Sequence, residues 1–117
     1  MADPFRGDVW TVDLDPTRGH EQVGRRPALV ISVDLFNQGP ADLVVVLPIT
    51  TKAKGVPLHV EIAPPEGGVR ATSYIKCEDI RSAAKQWLGK FLGRVSPDTL
   101  HEVEDRLAVL LGMPTIR

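Results

Sequence analysis

The chain is poor in cysteine and has no long apolar run. Cys77 is its one cysteine, so no intrachain disulfide can form and a reducing compartment suits the protein. No stretch reaches the roughly 20 apolar residues that a membrane-spanning helix needs. The N-terminal segment carries Asp3 and Asp8 and has no apolar run, which is unlike a signal peptide. We therefore expect no contact with a membrane and a location in the cytoplasm.

The sequence also lacks the common motifs of catalysis and cofactor binding. It contains no GxGxxG motif, no P-loop and no GxSxG nucleophile elbow. The histidines His20, His59 and His101 are widely separated, without HxxxH or CxxC spacing, so we expect no metal site and no cofactor. An acid–base pair of His20 and His59, as in histidine-dependent ribonucleases, is the alternative. It is the weaker interpretation, because His59 alternates with core positions and is predicted to face solvent.

Most of the sequence consists of short apolar segments separated by turn residues. Trp10, Val12 and Leu14 alternate with polar residues, which is the period of a half-buried strand. Asp15–Arg25 contains proline and glycines among polar residues and is predicted to be a long loop. The other predicted strands are Ala28–Val33, Leu43–Ile49, Leu58–Ile62, Thr72–Cys77 and Lys90–Val95. A short polar turn is predicted around Gly39, and Glu78–Leu88 is ambiguous, with room for a helical turn.

The clearest helix lies near the C-terminus. Ser96 is a suitable N-cap, Pro97 is placed at the first helical position, and Gly112 is placed to end the helix. Apolar residues then follow at three- and four-residue spacing, at Leu100, Val103, Leu107, Leu110 and Leu111. Many short strands followed by one amphipathic helix predict a mainly β fold, a small β-barrel with a helix packed on it. We expect a single domain that spans residues 1–117.

Charge is segregated along the chain although the net charge is only −1. Arg18, Arg25 and Arg26 lie close together with His20. Lys52 and Lys54 form a second basic group, whereas acidic residues gather in the C-terminal helix. A local basic cluster is what phosphate binding requires, but ordinary solvated loop charges give the same pattern.

Two positions at predicted strand ends are suited to phosphate chemistry. Arg26 stands beside Pro27, which fixes the local backbone. An arginine there can hold a phosphate through paired N–H donors and stabilise developing negative charge, or it can simply cap the strand with a surface ion pair. Thr50 follows a buried strand, where its hydroxyl can donate to a phosphoryl oxygen.

Three motifs resemble a known family, the MazF/PemK toxins. The longest is GDVWTVDLDPTRGHEQVGRRPALVIS, from Gly7 to Ser32, which is similar to the N-terminal signature of that family. The strand that ends in Thr50-Thr51 and the stretch from Ser73 to Arg81 also match. The similarity covers nearly the whole chain.

The resemblance implies a homodimer of SH3-like barrels that cuts single-stranded RNA at a short recognition sequence and is blocked by a MazE-like antitoxin. In such enzymes the ribose 2′-hydroxyl attacks the adjacent phosphorus without a metal, leaving a 2′,3′-cyclic phosphate and a free 5′-hydroxyl. Carried over by position, Arg26 would stabilise the transition state, Thr50 would bind the scissile phosphate, and Glu21 would assist. The implied RNA contacts are Arg18, His20, Gln22, Arg25, Thr51, Lys52 and Ser73.

Two positions depart from the family pattern, and two other functions compete with this one. His20 replaces the usual serine, and Asp79 stands where many relatives carry glutamine, so base preference cannot be transferred. The first competing function is a non-enzymatic gyrase poison of the CcdB type, but those proteins end in Trp-Gly-Ile and this chain ends in MPTIR. The second is an inactive barrel that only binds its partner. The presence of the family's catalytic residues Glu21, Arg26 and Thr50 argues against it.

Overall fold

A computed structural model of the protein describes residues 3–14 and 25–114. The strands are β1 (Asp8–Asp13), β2 (Arg25–Val30), β3 (Leu43–Thr50), β4 (His59–Ile62), β5 (Ser73–Lys76), β6 (Arg81–Ala84) and β7 (Leu88–Arg94). The helices are α1 (Asp34–Asn37) and α2 (Pro97–Leu111). Within the part that the structure describes, no helix is long and apolar enough to cross a membrane.

The seven strands form one antiparallel sheet in the order β4-β5-β3-β2-β1-β7, and β6 also pairs with β3. Strand β1 is paired on both edges, with β2 on one side and β7 on the other. Among the described residues no ladder joins β7 to β4 or β6, so the expected barrel is not closed. The mainly β fold class with a C-terminal helix is confirmed.

Both faces of the sheet are apolar, because side chains alternate along each strand. In β1, Val9 lies in a cluster with Leu29 and Leu47, whereas Trp10 and Val12 lie in a second cluster with Ala28 and Val46. The first cluster is covered by α2, whose Val103 is fully buried within it. Residues two apart in a strand therefore share an environment, and direct neighbours do not.

Helix α2 begins and ends where the sequence predicts. The Ser96 side chain accepts a hydrogen bond from the Thr99 amide, and Gly112 ends the helix in the left-handed conformation at φ 68°. Leu100 and Leu107 pack against the core beside Val103. The apolar face of α2 does not rest on the sheet at its C-terminal end. There Leu110 and Leu111 are 38% and 54% exposed, because the core ends before the helix does.

The ambiguous segment contains a strand that the sequence pattern does not reveal. Two 3₁₀ turns, Cys77–Asp79 and Lys85–Trp87, enclose β6, which pairs with β3 through Val44 and Ala83. The expected turn before β3 instead holds the short helix α1, whose Asn37 side chain donates to the Ser32 carbonyl oxygen at 3.0 Å. Both differences concern elements of four residues, which are too short to show a period.

Strand β7 passes close to a glycine pair in the turn after β4. Gly68 has a φ of +74°, and a β-carbon on it would lie 2.1 Å from the Leu92 carbonyl oxygen. A β-carbon on Gly93 would lie 2.7 Å from the Gly68 nitrogen. The two backbones approach this closely only because neither residue carries a side chain.

Candidate active site

Strand pairing brings Arg26 and Thr50 to the same face of the sheet. The β2–β3 ladder sets Ala28 opposite Pro48. Continued by two residues toward its open end, this register places Arg26 across from Thr50. Directly opposed residues of an antiparallel pair project to the same side. Arg26 and Thr50 therefore face the same side of the sheet, two residues beyond the last pair of the ladder.

A turn after β3 orients the Thr50 hydroxyl. Its oxygen accepts a hydrogen bond from the Lys52 amide at 3.1 Å, and the residue is half-buried. Because the oxygen serves as acceptor there, the hydroxyl hydrogen is available to a ligand oxygen. Thr51 and Lys52 are exposed in the same turn, so the predicted contacts of both residues lie on the surface beside Thr50.

The two adjacent arginines of β2 lie on opposite faces of the strand. Arg26 pairs with Val12 in the register and Arg25 pairs with Asp13. Both arginines are exposed, and no described carboxylate forms an ion pair with Arg26. A surface ion pair at the strand end, the alternative for Arg26, is thus not seen among the described residues. Its charge faces the same side as Thr50.

Four predicted site residues fall outside the described residues. These are Arg18, His20, Glu21 and Gln22, all within the segment 15–24. The structure does describe both residues that flank this segment, Leu14 after β1 and Arg25 at the start of β2. Both flanking residues lie at the end of the β1–β2 ladder where Arg26 lies.

Strand β5 adds a residue that sequence reasoning missed. Tyr74 lies directly opposite Thr50 in the β3–β5 ladder and is half-buried. Its phenol can both donate and accept hydrogen bonds and offers an aromatic face. The only signal for Tyr74 is the register between two strands, which cannot be read without knowing that they pair.

Ser73, the residue before Tyr74, is placed differently from the other predicted contacts. It is 3% exposed, and its hydroxyl donates to the Ala71 carbonyl oxygen at 2.8 Å. The hydroxyl already has an acceptor and little access to solvent. We therefore assign Ser73 to stabilising the chain that leads into β5 rather than to a direct contact with RNA.

The histidine alternative finds no geometric support. His59 was predicted to face solvent, but its side chain is only 4% exposed and its Nε2 lies 2.9 Å from Glu78 Oε2. That prediction is wrong, because the 3₁₀ turn after β5 brings Glu78 over the imidazole. The other nitrogen, Nδ1, is buried without a hydrogen-bond partner. His20 lies outside the described residues, so no pair with His59 is formed within them.

The chain is related to known proteins over nearly all of its length. A family model described as "PemK-like, MazF-like toxin of type II toxin-antitoxin system" matches residues 5–111. The chain belongs to this family. The match spans both strands that carry Arg26 and Thr50, as well as α2.

Individual MazF and PemK proteins are similar over most of their length. The endoribonuclease MazF9 of Mycobacterium tuberculosis is 35% identical over 113 residues, which cover 92% of this chain and 96% of that protein. The endoribonuclease PemK of Escherichia coli is 37% identical over 116 residues, covering 94% and 84%. A crystal structure of MazE–MazF from Deinococcus radiodurans superposes with a TM-score of 0.77 at 30% identity, covering 97% of this chain and 100% of that chain.

Asp79, which departs from the common MazF/PemK pattern, is engaged in a local ion-pair network. Its carboxylate accepts two hydrogen bonds from Arg81 Nη2, at 2.7 and 2.8 Å, and lies 3.6 Å from Lys76 Nζ. A glutamine there would leave both cations without a charged partner. In this member of the family Asp79 fixes the Arg81 side chain.

The remaining reactive groups of this family member offer no second active site among the described residues. Cys77 is fully buried, and its burial, with Glu78 nearby, raises the pKa of the thiol to about 12. The thiol therefore stays protonated near neutral pH and is a poor nucleophile. Over residues 3–14 and 25–114, no three His, Cys, Asp or Glu residues are grouped so that they could hold a metal ion.

Proposed function

We propose that the chain is a toxin endoribonuclease that cuts single-stranded RNA at a short recognition sequence without a metal ion. The observation that carries this proposal is the β2–β3 register, which, extended two residues past its last pair, puts Arg26 and Thr50 on one face. The family membership and the endoribonuclease names of MazF9 and PemK support it. With no membrane-spanning helix among the described residues, we further propose the cytoplasm as its location.

The chemistry follows from what these two side chains can do. The ribose 2′-hydroxyl loses its proton to a base as its oxygen bonds to the neighbouring phosphorus, the bond to the 5′-oxygen breaks, and that oxygen takes up a proton and leaves as the 5′-hydroxyl. Negative charge grows on the non-bridging oxygens during this step. The Arg26 guanidinium, fixed at a strand end, donates to those oxygens and stabilises the charge. Thr50 donates its free hydroxyl hydrogen to the same phosphate. Glu21, which lies outside the described residues, is the proposed carboxylate that takes the proton.

Cleavage is expected to continue in excess EDTA and to leave 2′,3′-cyclic phosphates. The reason is that guanidinium and hydroxyl donors replace a metal as the stabilisers of phosphate charge. Mass spectrometry of the fragments measures the ends directly, with the untreated enzyme as control. Strict dependence on Mg²⁺, or fragments that begin with 5′-phosphates, would place the enzyme in another mechanistic class.

We also place the active site in a groove of a homodimer that a MazE-like antitoxin occupies. The similar structure from Deinococcus radiodurans is one of MazE–MazF, which supports a partner of this kind. Exposed apolar side chains at the end of α2, including Val109 at 70% and Met113 at 58%, are surface that a second copy can cover. Basic residues of both chains would attract an acidic antitoxin segment and RNA to the same groove.

Light scattering at micromolar concentration is expected to give twice the 12.8 kDa chain mass. Charge reversal at Arg18 and Arg25 is expected to weaken the binding of RNA and antitoxin together, because both are polyanions in one groove. Arg70→Glu, an exposed arginine outside the proposed set, is the matched control. A monomer that still cuts RNA, or loss of only one ligand, would contradict the shared groove.

The CcdB-like gyrase poison is not favoured, since MazF9 and PemK are both named endoribonucleases. Assaying RNA cleavage and gyrase supercoiling in parallel separates the two functions. An inactive barrel would give neither activity.

A further inference from the structure

We propose that Arg25 binds a second RNA phosphate, distinct from the one that is cleaved, and that Gly89 positions it. The inference rests on the proposed function, because it assigns a further contact to the same RNA. Its basis is a close packing between the Arg25 side chain and the bare backbone of β7.

The strand register separates Arg25 from the catalytic face. Arg25 lies opposite Asp13 and shares its face with Thr11, whereas Arg26 lies opposite Val12. Consecutive side chains of a strand point to opposite sides. The two guanidinium groups therefore cannot hold the same phosphate in the same way, although they are neighbours in sequence.

Gly89 is the place where the Arg25 side chain crosses β7. A β-carbon on Gly89 would lie 2.8 Å from Arg25 Nη1 and 2.6 Å from Thr11 Oγ1. The Thr11 hydroxyl is itself fixed, because its oxygen accepts a hydrogen bond from the Lys90 amide at 2.8 Å. Any side chain at position 89 must push the guanidinium away or displace the hydroxyl. The absence of a side chain thus leaves the room in which the Arg25 guanidinium lies against β7.

The position suits a phosphate. Arg25 is exposed, and no ion pair joins it to a carboxylate in the described ranges 3–14 and 25–114. Lys90 adds a second exposed cation next to Gly89. A strand of RNA carries a phosphate at each nucleotide, so an RNA held by Arg26 on one face can meet Arg25 as it leaves that face. The planar fork of arginine matches a phosphate.

The test is a double-mutant cycle of Arg25→Ala and Gly89→Ala. The probe is an RNA of the mapped cleavage sequence that carries a 2′-deoxy nucleotide at the scissile position, so it binds without being cut. Arg25→Ala is expected to raise Kd about tenfold or more, since charge-assisted hydrogen bonds contribute this much. The slope of log K against log salt should fall by about 0.7, the value for one phosphate of a single strand. Gly89→Ala should raise Kd several-fold alone and not at all in the Arg25→Ala background.

Three comparisons separate this role from a merely structural one. Thr11→Ala removes the other group near Gly89 and should keep Kd within about twofold of the wild type. With cleavable RNA, the loss in the Arg25 and Gly89 variants should appear in KM rather than in kcat. If the wild type does not cut RNA, or Arg26→Ala cuts as well as it does, the proposed function fails. Two results would overturn only the second phosphate site, provided that Arg26→Ala is inactive. One is that Gly89→Ala binds RNA like the wild type; the other is that the effects of Gly89→Ala and Arg25→Ala on Kd multiply in the double variant.

Discussion

Replacing Arg26 by alanine is expected to lower the rate of RNA cleavage by about 10²–10³-fold, the usual cost of removing one preorganised donor to a developing charge. The side chain is exposed and pairs with no described carboxylate, so its loss should leave the melting temperature unchanged. Single-turnover cleavage of a defined RNA measures the effect without interference from product release.

Arg26→Lys is the matched variant, because it keeps the charge and removes the planar fork. We expect it to remain at least tenfold slower than the wild type, since an ammonium cannot make the paired hydrogen bonds. Wild-type cleavage by the alanine variant would show that the face shared with Thr50 is not the active site. A fall in melting temperature that matches the loss of rate would instead make Arg26 a structural residue.

Gly68→Ala is expected to destabilise the fold by about 2–5 kcal/mol. The left-handed φ of +74° costs an alanine about 1–2 kcal/mol. The added carbon would also lie 2.1 Å from the Leu92 carbonyl oxygen, which is backbone and cannot rotate away, and forced overpacking costs about 1–3 kcal/mol more. A domain of this kind has about 5–15 kcal/mol in total. Urea unfolding followed by tryptophan fluorescence measures the change.

Gly55→Ala provides the control for backbone conformation alone. Its φ is +64°, but nothing lies within 4 Å of the added carbon. It should cost about 1–2 kcal/mol, the conformational part only. Equal losses at the two positions would mean that the approach of β7 to the turn is looser than the structure shows.

The parts of the fold that the sequence predicts are those with a local signal. Helix α2 carries an N-cap at Ser96, a proline at its first position and a terminating Gly112, and each acts within one turn. The longer strands show their period directly. Helix α1 and β6 have four residues each, which is too short to show a period. Whether Leu110 and Leu111 are buried depends on where the core ends.

In the candidate site, too, the sequence predicts the features that have a local signal and misses those that depend on strand pairing. Arg26 and Thr50 could be named from their strand-end positions and the resemblance, but their common face follows from the β2–β3 register. Tyr74 and the burial of His59 depend on pairing with β5 and on the turn that carries Glu78. The opposite directions of Arg25 and Arg26 follow from the alternation of β2. The separate role proposed for Arg25 depends on Gly89, and only the tertiary structure shows that Gly89 lies beside the Arg25 side chain.

The pairing of β1 on both edges has a consequence for synthesis on the ribosome. Its partner β2 follows soon after it, but its other partner, β7, spans residues 88–94. When Arg26 and Thr50 have left the ribosome, the nascent chain still lacks β7, the strand that pairs with the second edge of β1. Such pairing between distant parts of the chain forms late. The β1 edge therefore stays unpaired until translation of the message is nearly finished, and the complete sheet forms only then.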